Sequence, residues 1–381
     1  MKQYYLHIVF SLFILLAGCK RNNGLKNDAL KNIDYCDIKP ILEKSCLKCH
    51  NQDGIAPFSF ENIETFRQKK STVLYVLDSN IMPPWKPDPS YRTFKHQFYI
   101  TETERKKLYN WVDNGCKNSG QCPLAAVNKD SIFSYQQVGD CYNISMGYRI
   151  PENIDNYKCF IVLNPFKKDV YLSAIDLIPG NALAVHHMSA FIAYDQKVIQ
   201  GCNDKNDAIC NCDNSIDDKS VIVSNWTKGS HPIHLEKGYG FLLPKNAYLS
   251  IQIHYSGGFE GVYDTSKVCF KVTKDSIAHE VFFDFKNKFD IHFEPNEVKY
   301  DTLVLDVPKA INMQTIWPHT HNIAKNVLCF AKTPTNEIIP LVRIPNWDYL
   351  WQSSYEFVKP ISIPAHSKIY MICLYDNTEN N

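Results

Sequence analysis

The strongest constraint on the fold comes from short alternating runs that begin near residue 123 and continue to the C-terminus. In these runs Val, Ile, Phe and Tyr alternate with other residues, and Asn, Asp, Gly and Pro separate one run from the next; 157–163 and 268–272 are examples. A period of two places alternate side chains on opposite faces of a strand. Such closely spaced turns favour β-sandwiches over parallel α/β units. We therefore predict an all-β structure for residues 123–381.

Five histidines lie in or beside three of these runs. His186 and His187 are adjacent in an apolar run, so they can converge on one metal only where a strand ends or bulges. One packed and one solvated imidazole would explain that pair equally simply. His254 ends another alternating run, and the i, i+2 spacing of His319 and His321 predicts two imidazoles on one strand face, about 7 Å apart. Imidazole binds copper, zinc, iron and nickel, so the set indicates a class of metals.

The N-terminus and the cysteine content indicate export. Fourteen cysteines in 381 residues favour an oxidising compartment. Residues 1–18 have the flanks and the short apolar run of a signal peptide. The run Leu16-Ala17-Gly18-Cys19 resembles a bacterial lipobox, which predicts a lipidated Cys19 followed by a polar tether over 19–34; an ordinary signal peptide is the alternative. The net charge of +1 gives no reason to propose a nucleic-acid partner.

A C-x-x-C-H run at residues 46–50 predicts a covalently bound haem c. Cys46 and Cys49 would form thioethers to the haem, and His50 would face the iron. A disulfide or a zinc knuckle beside an unrelated histidine is the alternative. Met82 is the candidate sixth ligand, because a thioether suits an electron carrier and two following prolines stiffen its loop. A packed methionine is the alternative there, and Trp85 is expected to pack on the haem edge.

A small all-α domain is predicted around this motif, over residues 35–122. Thr101 and Glu104 form a capping-box signature, and the helix that follows is expected to bury one face and to end at Asn114-Gly115. Three cysteines lie at the edges of this domain and could form a staple of unknown connectivity: Cys36, Cys116 and Cys122.

The histidine motifs, in their order along the chain, resemble those of the copper type II, ascorbate-dependent monooxygenases. This family includes peptidylglycine alpha-hydroxylating monooxygenase and dopamine beta-monooxygenase. The motifs are His186-His187-Met188, Ile253-His254-Tyr255 and His319-Thr320-His321. Runs near residues 243–255, 344–352 and 373–377 look like those of bacterial members. The Met82-Pro83-Pro84-Trp85 run resembles the methionine loop of cytochromes c that are fused to this family.

The resemblance implies a multidomain protein in which a cytochrome c-like domain precedes two jelly-roll-like sandwiches, 123–275 and 276–381. It implies one copper on His186, His187 and His254. A second copper would be held by His319, His321 and a methionine near the C-terminus, across a solvent cleft from the first.

The resemblance also implies that part of the second site is missing. In the family, the strand matching 371–377 is followed by the methionine ligand and by a cysteine that pairs with the one matching Cys373. This sequence stops at Asn381, before either. Setting aside the lipobox cysteine and the two haem cysteines leaves eleven, an odd number with one thiol unpaired. We therefore expect a C-terminally incomplete second sandwich and weak copper binding by His319 and His321.

The function that the resemblance implies is O₂-dependent hydroxylation of a C–H bond in a small organic molecule. His319 and His321 would be catalytic at the O₂-binding copper, and up to two coppers and the haem would relay electrons from an external donor. The alternative is an envelope electron-transfer lipoprotein that binds haem and copper but oxygenates nothing. In either case the lipid on Cys19 would anchor the protein in the bacterial cell envelope, on the periplasmic side or at the cell surface.

Overall fold

The computed structural model describes residues 33–52, 54–123, 142–194, 209–212, 220–227, 230, 233–288 and 290–381. The predicted signal peptide, Cys19 and nearly all of the predicted tether lie outside the described residues. Among the helices that are described, none is long and apolar enough to cross a membrane.

Three helices form the N-terminal unit: α1 (Tyr35–Ser45), α2 (Ile63–Asp78) and α3 (Glu102–Asp113). The predicted capping box is confirmed, since the Thr101 hydroxyl accepts from the Glu104 backbone and the Glu104 carboxylate accepts from the Thr101 backbone. As expected, α3 buries the face of Leu108, Trp111 and Val112. This face joins the core of the unit, and α1 packs against α3.

The remaining described elements are strands. The first group, in chain order, is β1 (Tyr142–Arg149), β2 (Asn156–Leu163), β3 (Val170–Ile178), β4 (Val185–Ala193), β5 (Ile209–Asn211), β6 (Val221–Thr227), β7 (Ile233–His234), β8 (Tyr239–Leu243), β9 (Tyr248–Tyr255), β10 (Tyr263–Val272) and β11 (His279–Glu280). The second group is β12 (Val298–Val307), β13 (Ile311–Ile316), β14 (Ala324–Lys332), β15 (Ile338–Ile344), β16 (Tyr355–Ile363) and β17 (Ser367–Asp376).

The first group forms a sandwich of two sheets around one apolar core. One sheet has the order β1-β10-β3-β8-β11, with β7 paired to β3, and the other has the order β5-β2-β9-β4-β6. In β9 the alternation predicted from the sequence holds, because Leu249, Ile251 and Ile253 are fully buried in the core. His254 therefore points to the opposite, outer face of its sheet.

The second group forms a smaller sandwich. A sheet of order β12-β17-β14-β15 and the pair β13-β16 enclose a separate core. That core also contains Phe94, which comes from the N-terminal unit, is 3% exposed and forms a β-bridge with Phe357 of β16. The mainly β architecture after residue 123 is thus confirmed, whereas the jelly-roll topology stays a prediction.

The cysteines differ from the expectation. Cys36 and Cys122 form a disulfide across the helical unit, and Cys159 in β2 pairs with Cys212. Cys210 and Cys269 are also disulfide-bonded. Three further cysteines in the described part are buried and unpaired, so the expectation of one free thiol is wrong: Cys116, Cys329 and Cys373. Local sequence does not show which cysteines meet, since these pairings depend on strand register.

Candidate metal centre

A β-bulge at the start of β4 brings two adjacent histidines to one face. Met188 lies in the core, so His187 points outward, and in a regular strand His186 would point inward. The register between β4 and β9 shifts between Val185 and His187, which releases His186 from this alternation. His187 then lies directly opposite His254 of β9. We call His186, His187 and His254 the histidine triad.

The ring nitrogens of the triad converge on one point. The His187 Nδ1 lies 3.3 Å from the His186 Nδ1 and 3.4 Å from the His254 Nδ1. Nitrogens bound at 2.0–2.1 Å to a tetrahedral ion would lie about 3.3–3.4 Å apart. Hydrogen bonding alone explains the arrangement poorly, because one Nδ1 offers one in-plane hydrogen or lone pair but has two neighbours. The donor set therefore fits a metal ion.

Within the described residues, the triad is the one group of three or more His, Cys, Asp or Glu side chains whose ligand atoms all lie within 4.8 Å of one another. Burial, reinforced by the two neighbouring imidazoles, lowers the pKa of His187 to about 3. Burial also lowers the pKa of His254. Neutral imidazoles can donate a lone pair to a metal without first losing a proton.

The carboxylate of Asp155 fixes the orientation of His254. The Asp155 Oδ2 lies 3.2 Å from the His254 Nε2, and its Oδ1 accepts a hydrogen bond from the Gly257 amide at 2.9 Å. An Nε2–H donated to this carboxylate leaves the His254 Nδ1 with its lone pair directed at the other two imidazoles. On the other side, Tyr157 stacks on the His254 ring at 4.0 Å between centroids.

His319 and His321 lie on the loop between β13 and β14, so the expectation that they share a strand is wrong. Strand β13 ends at Ile316, and Pro318 has no N–H with which to continue a ladder. The two rings are nevertheless close, with centroids 5.3 Å apart. Burial, followed by the charge of His321, lowers the pKa of His319. These residues form what we call the second histidine pair.

Two contacts fix the loop of the second histidine pair. Between the two histidines, the buried Thr320 hydroxyl donates to the Tyr375 hydroxyl of β17 at 2.9 Å. The Gln352 side chain hydrogen-bonds to His319, and the Gln352 carbonyl accepts from the Trp317 indole at 3.1 Å. The loop is thus attached both to its own sheet and to the segment 346–352.

The second histidine pair faces the triad. His319 is among the charged groups that lower the pKa of His187, and Tyr349 is among those that raise the pKa of Tyr157. Both effects require the 317–323 loop and the 346–352 segment to lie on the triad side of the first sandwich. The structure therefore brings all five predicted copper ligands into one region, as a triad and a pair.

The C-x-x-C-H motif follows α1, and its groups are compatible with a haem. Cys46 and Cys49 are both unpaired and partly exposed, and burial raises the pKa of their thiols to about 12 and about 11. The His50 Nδ1 lies 3.1 Å from the Phe58 carbonyl oxygen, so an Nδ1–H donor would leave the Nε2 for a metal. Phe58 and Phe60 flank the His50 ring at 4.6 and 4.7 Å.

Met82 and Trp85 lie on the loop that follows α2. The Met82 amide donates to the Val76 carbonyl at 3.1 Å, and the methionine is partly buried. The Trp85 ring packs on Phe98 at 5.1 Å and on Tyr355 of β16 at 5.6 Å. Trp85 therefore packs against the second sandwich, a contact that the expectation of a haem-edge position did not include.

Sequence reasoning missed Asp155, Tyr157 and the Thr320–Tyr375 hydrogen bond. Asp155 acts on a histidine 99 positions away and Thr320 on a tyrosine 55 positions away. No local pattern marks either contact, because each depends on which strands become neighbours. Tyr157 faces outward beside β9 and could be noticed only once the β2–β9 register, which pairs it with His254, is known.

Two curated proteins with sequence similarity support the family that the histidine motifs resemble. Tyramine beta-hydroxylase of Caenorhabditis briggsae is 30% identical over 140 residues, which are 32% of this chain and 22% of that protein. Peptidyl-glycine alpha-amidating monooxygenase A of Xenopus laevis is 25% identical over 248 residues, which are 59% of this chain and 24% of that protein. The matches thus span less than a quarter of the length of either relative. At the family level they support a copper type II monooxygenase-like enzyme.

Other comparisons add nothing to this assignment. No protein-family model matches the chain. Among solved structures, a Bacteroides ovatus protein assigned as an alpha-L-fucosidase aligns over 75% of this chain and 41% of its own, at 11% identity and a TM-score of 0.17. A TM-score this low carries no argument about the fold.

Proposed function

We propose that the protein is a copper-dependent monooxygenase that hydroxylates a C–H bond of a small organic molecule with O₂. The observation that supports this most directly is the convergence of three Nδ1 atoms in the triad, with His254 oriented by Asp155. This arrangement occurs in a chain with weak similarity to a tyramine hydroxylase and a peptidyl-glycine monooxygenase.

In this proposal the triad holds one copper, and His319 and His321 hold the second and are catalytic. Bound copper would supply one-electron redox chemistry and a site for O₂. The protein's own part is to keep the imidazoles neutral and aimed. Asp155 holds the Nε2 proton of His254, and the low pKa of His187 keeps that ring unprotonated at neutral pH. Gln352 holds His319.

We further propose that a haem c is bound through Cys46, Cys49 and His50, with Met82 as the sixth ligand. The unpaired state of both thiols and the hydrogen bond of His50 to Phe58 support this assignment. The haem would receive electrons from an external donor and pass them to copper. Lipidation of Cys19 would anchor the protein in the bacterial cell envelope. The electron-transfer lipoprotein without oxygenase activity is the competing function.

Metal and haem analysis combined with isotope labelling tests the proposal. The purified protein should bind copper and show the pyridine haemochrome spectrum of a thioether-linked haem. With reductant and ¹⁸O₂, tyramine and a glycine-extended peptide are the first probes, since the two relatives are named for such substrates. Incorporation of ¹⁸O into either probe supports oxygenase activity. Redox cycling of copper and haem without labelled product favours the electron-transfer function, and a protein that binds no copper contradicts both.

Met82→Ala tests the haem ligand separately. Loss of the methionine-to-iron charge-transfer band is expected, because alanine cannot replace the thioether. An unchanged spectrum in a haem-loaded variant would exclude Met82 as a ligand.

A further inference from the structure

Residues 85–98, which we call the docking segment, leave the helical unit and pack on the second sandwich. The Asp88 amide donates to the Arg343 carbonyl of β15, and the Lys95 amide donates to the Glu356 carbonyl of β16, both at 2.8 Å. Phe94 lies in the sandwich core. The segment thus forms part of the second sandwich rather than a flexible linker beside it.

Ion pairs reinforce this contact along its length. The Arg343 guanidinium donates to the Asp88 carboxylate at 3.0 Å, and the Lys95 ammonium lies 2.7 Å from the Glu356 carboxylate. The Lys86 ammonium lies 2.8 Å from Asp348, with the Lys86 side chain only 12% exposed. A partly buried pair of this kind resists screening by salt better than an exposed pair does.

The C-x-x-C-H motif is attached to one end of the docking segment. Lys48 lies between the two motif cysteines, and its ammonium donates to the His96 carbonyl at 2.9 Å. The same ammonium lies 4.9 Å above the ring of Phe98. Burial lowers the pKa of Lys48 to about 8. The helical unit is therefore held to the docking segment both through the chain and through this buried lysine.

The other end of the docking segment reaches the second histidine pair. Lys86 binds Asp348, and Asp348 begins a turn in which the Trp351 amide donates to the Asp348 carbonyl at 3.0 Å. The next residue, Gln352, hydrogen-bonds to His319. A continuous path of covalent bonds and hydrogen bonds thus runs from Met82 through Lys86 and Asp348 to His319.

We propose that electrons pass between the haem and the second histidine pair through the docking segment, and not directly between the haem and the triad. This inference rests on the proposed haem and copper sites. Each transfer would oxidise haem Fe(II) to Fe(III) and reduce one Cu(II) to Cu(I), with no atom transferred. Electron tunnelling is faster through bonded atoms than across gaps, and the path through Gln352 ends at His319.

Two single-site proteins test the route. His254→Ala should retain copper only at the second pair, and the double variant His319→Ala/His321→Ala should retain it only at the triad. A photoexcited external reductant injects one electron into each fully oxidised, copper-saturated protein. The redistribution of that electron is followed by haem absorbance. We expect a fast phase in the wild type and in His254→Ala, and its loss in the double variant.

Pulsed EPR provides a second measurement that does not depend on the driving force. Oxidised haem should accelerate the relaxation of Cu(II) more strongly in His254→Ala than in the double variant, because the second pair is the nearer site. Lys86→Ala should slow the fast phase about tenfold, the factor given by 1.4 kcal/mol of lost docking energy. Lys288→Ala, which removes an ion pair with Asp301 elsewhere in the second sandwich, should leave it unchanged.

The outcomes separate the route from the function. A fast phase that persists in the double variant, or stronger relaxation at the triad copper, overturns the route while leaving the haem and copper sites intact. A wild-type protein that binds no haem or fewer than two coppers contradicts the proposed function itself.

Discussion

At the scale of single residues, Asp155 makes the most specific contribution to the candidate metal centre. It holds the Nε2 of His254 and also binds the Gly257 amide after β9. Carboxylates that orient a metal-binding histidine commonly contribute 10–100-fold to metal affinity. We expect Asp155→Ala to weaken copper binding at the triad by about that factor, measured by competition with a chelator.

Glu152→Ala is the matched control for Asp155→Ala, because Glu152 is an exposed carboxylate on the same loop. It should leave copper affinity unchanged. Equal affinities in the two variants would show that the Asp155 contact does not orient a metal ligand.

Asp176 should make stability depend on pH. It is 2% exposed, and burial raises its pKa to about 6, although the charge of Lys267 opposes the shift. The folded state then binds more protons than the unfolded state, so the contribution of Asp176 to stability falls as pH rises from about 4 to about 6. Asp176→Asn should raise the free energy of unfolding by up to about 3 kcal/mol at pH 8 and by less than about 1 kcal/mol at pH 4.

Denaturant unfolding of Asp176→Asn and the wild type at both pH values measures this difference. A gain that is the same at pH 4 and pH 8 would mean that the carboxyl is not protonated at low pH in the folded protein. A loss at pH 8 would mean that the buried carboxylate has a stabilising partner.

At the scale of elements, Asp264 of β10 ties together the strands that carry the triad. This fully buried carboxylate accepts from the Asn181 amide, just before β4, at 3.0 Å and from the Tyr255 hydroxyl, at the end of β9, at 2.9 Å. Asp264→Ala would leave both donors without this acceptor. We expect a loss of about 2–4 kcal/mol in the free energy of unfolding and weaker copper binding at the triad, with haem content unchanged.

Chemical denaturation and copper titration measure the two effects of Asp264→Ala. Asp275→Ala, at an exposed carboxylate after β10, serves as the control. Full copper affinity in a destabilised Asp264→Ala protein would show that the β4 and β9 ends hold the triad without this link.

Local sequence was sufficient to predict the elements that obey one simple rule. The capping box predicted α3, and period-two alternation predicted β9 with its outward-facing His254. The condition for convergence of His186 and His187, a bulge or a strand end, was also stated correctly. Alternation failed at His319 and His321, because an i, i+2 spacing does not distinguish a strand from an extended loop that begins at a proline.

At the scale of the whole molecule, the docking segment joins parts of the chain that are far apart in sequence. Phe94 forms a bridge with Phe357, more than 250 positions later, and such a contact leaves no local signature. The sequence placed residues 85–98 in the helical domain, although Phe94 lies in the core of the second sandwich. The disulfide pairings could not be predicted for the same reason, since they depend on long-range register.

Phe94→Ala should therefore destabilise the second sandwich even though Phe94 precedes it by some 200 residues. Removing a buried phenylalanine side chain typically costs about 3–5 kcal/mol, and Phe94 is 3% exposed. Hydrogen exchange should show the loss of protection in β16, and Tyr75→Ala, at a 66% exposed position of the helical unit, is the control. Unchanged protection in β16 would mean that the docking segment is not part of that core.

Copper titration of the wild type, His254→Ala and His234→Ala tests the central claim most directly. The claim is that the triad is a copper site, and His234 is an imidazole of the same sandwich that lies outside the triad. The expected result is that His254→Ala loses one copper per chain relative to the wild type, whereas His234→Ala loses none and both variants keep their haem. Equal copper stoichiometry in all three proteins would contradict the assignment of the triad.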